Sequence, residues 1–173
     1  MLDGVARIPA VTGIRDGVGD LALMSRIVLS VRAALADSGK PFQFFNGLPT
    51  AEASQRAYRA IGVPLYSSAA FAFVPDLALA FHAALERGDD ETVQTLLHEF
   101  FNPLVRLRDA VPGYAVSLAK AGVALEGLPA GSVRPPLVDP TPEHVEQLAA
   151  IIAAGRAAAA GLTGEVSRPR MAG

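Results

Sequence analysis

The sequence predicts an α/β chain that opens with a parallel sheet and continues as helices. Two observations carry this. Three short runs of β-branched or aromatic residues alternate with amphipathic helical patterns up to Tyr66, and beyond that point strand signals stop while helical periodicity continues. Consecutive strand–helix units give right-handed crossovers, and therefore parallel strands.

The strand runs are Val11 to Ile14, Phe42 to Phe45 and Val63 to Tyr66, each followed by small or polar residues: Asp16-Gly17, Asn46-Gly47 and Ser67-Ser68. Asp20 is placed to cap a helix whose apolar positions Leu23, Met24, Ile27, Val28, Val31 and Leu35 recur at three and four residues and end near Gly39. A second helix is expected from about Thr50 to Gly62, with Glu52 near its positive end. Pro75, Asp76 and Gly88 bound the next helix. Another begins at about Asp90, buries Val93, Leu96, Leu97, Phe100, Phe101 and Leu104, and is expected to kink or end at Pro103. Tyr114 to Leu125 forms a third. A fourth is announced by Thr141, Pro142 and Glu143 after the proline-rich connection LPAGSVRPPLVDPTP. Fraying is expected from Gly161 onward.

Composition narrows the function classes. Only 18% of the 173 residues are charged, against roughly 25% in ordinary soluble domains, so part of the surface is expected to be covered. A net charge of -2 and a pI near 5.9 supply no basic field for nucleic acid or an anionic membrane. No apolar run is seen to approach the ~20 residues of a membrane span, and MLDGVARIPAV lacks the build of a secretory signal, so a soluble cytoplasmic protein is expected. The chain has no cysteine, which removes thiolate nucleophiles and cysteine-based zinc sites.

In a βα barrel the reactive groups sit at the C-terminal ends of the strands, which directs attention to Arg15, Asn46 and Ser67. Five segments in order, Asp16 to Asp20 (DGVGD), Gly47 to Glu52 (GLPTAE), Tyr66-Ser67-Ser68, Pro112 to Ser117 (PGYAVS) and Val133 to Leu137 (VRPPL), make the chain resemble the 5-dehydro-4-deoxyglucarate dehydratases from about Ile8 to Ile152. The wider group is similar to the dihydrodipicolinate synthases and N-acetylneuraminate lyases. The resemblance implies a partial TIM (β/α)8 barrel: residues 1–74 as its last three βα units, 75–160 as the closing helix and a helical extension, and 161–173 as a tail. It implies a reaction in which a lysine amine condenses with the keto group of 5-dehydro-4-deoxy-D-glucarate, leading through loss of water and carbon dioxide to 2,5-dioxopentanoate, with no metal or organic cofactor.

The resemblance puts that Schiff-base lysine at Arg15, whose delocalised guanidinium offers no free amine lone pair. Lys40 and Lys120 are the only lysines, and neither sits at a strand end. The family's proton-transferring tyrosine and carboxylate-gripping residues lie on earlier strands with no counterpart here. The chain alone is therefore expected to be inactive, though Arg15 retains the fork to hold a carboxylate.

Bland readings stand beside these. Asn46 and Gly47 either meet substrate or form a strain-relieving turn. Ser67 and Ser68 either bond a substrate carboxylate or satisfy a strand end, with only one of them pointing inward. Tyr114 is read as a packing residue. His82, His98 and His144 lack partners at metal-ligand spacing. Glu86 to Glu91 reads as a solvated helix junction. A second function class, a non-catalytic module that pairs with itself or with a complete barrel subunit through exposed strand edges, is the alternative.

Overall fold

The computed structural model describes residues 2–166, in two compact units, 1–67 and 68–173. The first holds helix α1 (Leu2–Arg7) and three parallel strands, β1 (Gly13–Asp16), β2 (Gln43–Asn46) and β3 (Leu65–Tyr66), in the order β1-β2-β3. Helix α2 (Leu21–Leu35) joins β1 to β2, and α3 (Gln55–Ala60), preceded by a 3₁₀ turn at Ala51–Ala53, joins β2 to β3. Asp20 caps α2, its Oδ1 accepting from the Leu23 N–H at 2.8 Å. Met24, Val28, Val31 and Leu35 of α2 bury their side chains with Phe44, Tyr58 and Val63. Each such burial is worth about 1.5–3 kcal/mol relative to exposure, and this apolar stripe is what fixes α2 to one sheet face.

β1 is shifted two residues and β2 one residue later than their apolar runs suggest, while β3 begins two residues later and ends at Tyr66 as expected. Arg15 pairs with Phe45 and Asp16 with Asn46, and the Gly47 N–H extends the ladder to the Asp16 carbonyl at 2.9 Å. The polar strand ends are thus part of the sheet, because the backbone ladder does not depend on apolar side chains. By strand alternation Ile14, Phe44 and the neighbouring Asp16 and Asn46 face the helices, while Arg15, Phe45 and Leu65 face the other way. The helix expected from Thr50 is split: Thr50 adopts a left-handed φ of 53° and makes no side-chain cap bond. Helix α1 was not expected from the sequence, since Gly4 lowers its intrinsic propensity. Ala6 is buried against the α2 core, and Lys40 Nζ donates to the Ala6 and Ile8 carbonyls at 2.7 and 2.5 Å, closing its C-terminal end.

The second unit is helical: α4 (Pro75–Arg87), α5 (Asp90–Leu96), α6 (Asn102–Asp109), α7 (Tyr114–Leu125) and α8 (Pro142–Val166). Gly88 ends α4 with φ 70°, and Asp89 Oδ1 caps α5 by accepting from Thr92 N–H at 3.1 Å. Pro103 was expected to kink or end the helix. It does not end it: a π turn at Leu97–Phe101 precedes it and the helical path runs on to Asp109, the altered hydrogen-bond register falling where proline cannot donate. Phe81, Phe100 and Phe101 form the core, with edge-on ring pairs at 4.9 Å.

Helix α8 corrects one sequence reading. Residues 142–162 are long and apolar enough by length and composition to cross a membrane, although Glu143, Glu146 and Arg156 break the apolar run. Its Leu148, Ile151 and Ile152 are buried, and it packs against α4 to α7. Arg156 ties it down, its two terminal nitrogens on Glu126 at 2.9 and 3.0 Å and its Nε on Asp76 at 2.9 Å. The helix continues to Val166, past the expected onset of fraying at Gly161; the remainder of the expected tail, 167–173, lies outside the described residues.

Gly155 brings α8 close to the aromatic core: a Cβ there would meet Phe100 Cβ at 2.8 Å and Leu77 Cδ1 at 2.9 Å, whereas one at Gly161 meets nothing within 4 Å. Gly155→Ala is expected to cost about 1–3 kcal/mol by overpacking. Gly161→Ala is expected to be neutral or to stabilise by up to ~1 kcal/mol. Denaturant midpoints of the two variants check the contrast; equal midpoints would contradict the packing of α8.

Candidate functional site

The strand ends of the first unit carry a continuous polar cluster. Asp16 is buried, and its two carboxylate oxygens divide their work: Oδ1 accepts from the Val18 N–H at 2.8 Å, and Oδ2 accepts a short hydrogen bond from the Tyr58 hydroxyl on α3. Tyr58 is itself 2% exposed. Burial first, then the hydrogen bond and negative charge of Asp16, push its phenol well above the ordinary value near 10. Next to Asp16 on the neighbouring strand, Asn46 is fully buried, its Nδ2 lying 3.1–3.2 Å from the Ala51 carbonyl, Ser54 Oγ and Gln55 Oε1. Its Oδ1 accepts from Leu48 N–H at 3.3 Å. Gln55 Nε2 passes the chain of bonds on to the carbonyls of Val63 and Pro64 at 3.2 and 3.1 Å, just before β3.

This cluster was not legible as a site. Tyr58 and Gln55 sit on a short amphipathic helix and read as ordinary core positions; the available signal was two polar residues, Asp16 and Asn46, at helix-facing positions of adjacent strands. Buried polar groups need partners, and each of them finds its partner on α3 or in the turn before it.

The expected site residues separate into two groups. Arg15 is exposed on the opposite sheet face, and its Nη2 donates to the Gly47 carbonyl at 2.5 Å. A Cβ at Gly47 would run into the Arg15 side chain, which would have to shift to make room. Ser67 follows β3, donates its N–H to the Asn46 carbonyl at 3.2 Å and continues the face of Arg15 by alternation. Asn46, by contrast, spends its side chain on the turn, and Ser68 Oγ accepts from the Phe71 N–H at 3.1 Å at the start of the helical unit. Lys40 is bonded to carbonyls of residues 6 and 8, and Lys120 Nζ donates to the Ser132 carbonyl at 2.6 Å. Tyr114 is buried, with its hydroxyl 3.0 Å from His144 Nδ1, and His98 lies 2.8 Å from Glu99. Among the described residues no three histidine, aspartate or glutamate side chains converge as a metal site.

A family model described as the dihydrodipicolinate synthetase family matches residues 2–155. The chain belongs to that family. It is 57% identical over 152 residues to the protein named "Probable 5-dehydro-4-deoxyglucarate dehydratase 1" of Streptomyces coelicolor, covering 88% of this chain and 48% of that one. It is 59% identical over 153 residues to "Probable 5-dehydro-4-deoxyglucarate dehydratase" of Streptomyces griseus, covering 88% and 47%. The chain thus spans about half the length of the curated relatives it matches. Among solved structures it superposes on dihydrodipicolinate synthase from Oceanobacillus iheyensis with a TM-score of 0.75 at 21% identity, covering 90% of this chain and 50% of that one. For Proteus mirabilis N-acetylneuraminate lyase the TM-score is 0.64 at 19% identity, covering 86% and 46%. These two likenesses concern the fold alone.

The Tyr58–Asp16 bond makes a pH prediction. The folded phenol resists ionisation while the unfolded one ionises near its ordinary value of 10. The contribution of this group is therefore fully present below pH ~10 and is lost as pH rises from there through the folded value. Denaturant unfolding between pH 8 and 11 is expected to show a steeper loss for the natural chain than for Tyr58→Phe. Tyr58→Phe itself is expected to cost about 1–3 kcal/mol at neutral pH, by leaving Asp16 short of a donor.

Proposed function

We propose that the chain is the C-terminal part of a (β/α)8-barrel dehydratase of the 5-dehydro-4-deoxyglucarate type, its last three βα units followed by a helical extension. The observation that carries this reading is the identity of 57% and 59% to proteins bearing that name, over 88% of the chain. On this reading residues 1–74 are the strand–helix part, 75–160 the closing helix and extension, and 161–173 the tail. The substrate class is a small sugar acid, the setting is the cytoplasm, and neither nucleic acid nor membrane is a partner.

Arg15 then stands where such an enzyme carries its Schiff-base lysine. An imine requires an amine lone pair attacking a ketone, and the guanidinium keeps its proton at any physiological pH. Both lysines of the chain are held on backbone carbonyls in other places. The residues around Arg15 favour binding over turnover. Its Nη2 is anchored on Gly47, and it keeps further N–H donors for a carboxylate, so the sugar acid is gripped by a charge-assisted fork. Gly47 leaves room for that side chain, Ser67 offers a hydroxyl on the same face, and Asn46 and Ser68 contribute through the turns they hold.

The test is borohydride trapping with pyruvate and with 5-dehydro-4-deoxyglucarate, read by intact mass and peptide mapping, on the natural chain and on Arg15→Lys. The natural chain is expected to remain unlabelled and the variant to gain one reduced adduct at residue 15. A labelled Lys40 or Lys120 in the natural chain would overturn the reading of Arg15. Silence of both forms would assign the loss of chemistry to barrel strands outside this chain.

A further inference from the structure

A second cleft, independent of Arg15, lies within the helical unit between α7 and the proline-rich connection. Ser117, Lys120, Ala124 and Leu125 form one wall; Asp139 of the connection and Val145 of α8 form another. Its volume, about 330 Å³, falls in the range of roughly 300–1,000 Å³ usual for small-molecule sites. Lys120 Nζ fastens the connection to α7 through the Ser132 carbonyl at 2.6 Å, and the Val133 N–H to Asp139 Oδ1 bond at 3.0 Å folds the connection on itself.

Hydrogen-bond capacity selects the ligand. Ser117 is 1% exposed, and its Oγ has no hydrogen-bond partner among the described residues, although it lines the cleft. A buried hydroxyl without a partner loses the hydrogen bond it would make in water, which a ligand oxygen would restore. Lys120 carries three N–H donors and uses one. It lies three positions after Ser117 on α7, so the two side chains stand one helical turn apart on the same face. Asp139 is occupied by the connection, with the Val133 N–H and the Ser132 hydroxyl as its donors and Lys120 as the nearby positive charge. The cleft therefore presents a neutral donor at its floor, a cationic donor at its rim and aliphatic walls between.

We infer that this cleft binds a short aliphatic oxo- or hydroxy-carboxylic acid, its carboxylate on Lys120, its second oxygen on Ser117 and its methylenes against Ala124, Leu125 and Val145. A neutral ketone lacks the group Lys120 would hold, and a plain fatty acid lacks the acceptor Ser117 would meet.

The experiment is amide NMR of the whole chain titrated with levulinate, pentanoate and pentanone. Levulinate is expected to shift the amides of residues 117–125 and 131–133. Pentanoate and pentanone are each expected to bind about tenfold more weakly, the usual consequence of losing one well-made hydrogen bond in a buried site. Ser117→Ala is expected to bring levulinate down to the affinity of pentanoate, Lys120→Met to that of pentanone, and Lys120→Arg to preserve binding. Unmoved amides at Phe81 and Phe101 report that each variant is folded. Ser117→Ala removes one oxygen from a helix interior and carries the test alone should Lys120→Met release the connection. No shift with levulinate, shifts mapping elsewhere, or equal affinity in the natural chain and folded Ser117→Ala would overturn the inference.

Discussion

Burying a carboxylate and an amide side by side, at the ends of two parallel strands, is the constraint from which the rest of the first unit follows. Asp16 and Asn46 are register partners that both face the helices. Neither can be buried without donors and acceptors, because an unmatched buried polar group costs more than a typical hydrogen bond returns. The solution reaches into the following segment: Tyr58 supplies a donor to Asp16, while Ala51, Ser54 and Gln55 surround the Asn46 amide. The same Gln55 holds the carbonyls that precede β3. Strand ends, turn and α3 are therefore set by two adjoining sets of hydrogen bonds, each with a member on α3. The backbone carrying Arg15 and Gly47 is fixed as a by-product, since each is the chain neighbour of a member of these sets.

The helical unit is organised by a different economy, apolar and close-packed. Three phenylalanines meet edge-on, and α8 approaches them at a glycine, where any side chain would intrude. Close approach explains how a long alanine-rich helix lies on this core with few large side chains of its own. It also explains why its composition resembles that of a membrane span: small apolar residues suit both a tight helix–helix seam and a bilayer, and here Leu148, Ile151 and Ile152 are buried among neighbouring helices.

Much of the fold was legible because the signals were local. Asp20 before an apolar stripe, Pro75 and Gly88 around α4, and Thr141 before α8 are features of a few residues, and each helix lies where they point. Failures occurred where tertiary structure overrides local preference. The strands extend through Arg15-Asp16 and Asn46 because pairing, not apolarity, defines a parallel ladder. The π turn lets a helical path pass Pro103, where local chemistry left a kink and an end both open. Helix α1 depends on Lys40, 34 positions beyond Ala6, to receive its terminal carbonyls. At the strand ends, motif spacing pointed to Arg15, Asn46, Gly47, Ser67 and Ser68 as candidates. It missed the Tyr58–Asp16 pair because hydrogen bonding across 42 positions leaves no periodicity to read.

Arg15 and Gly47 meet at the ends of adjacent strands. The Arg15 stem lies in the space that a Cβ at residue 47 would fill, and its head bonds the carbonyl of that same glycine. Lysine and arginine share a long aliphatic stem, so the glycine that clears a path for one clears it for the other. Their heads differ in kind: an ammonium can release its proton and attack a carbonyl, whereas a guanidinium holds its charge and presents a planar row of donors. At residue 15 the guanidinium supplies charge and N–H donors beside Gly47, and no free amine.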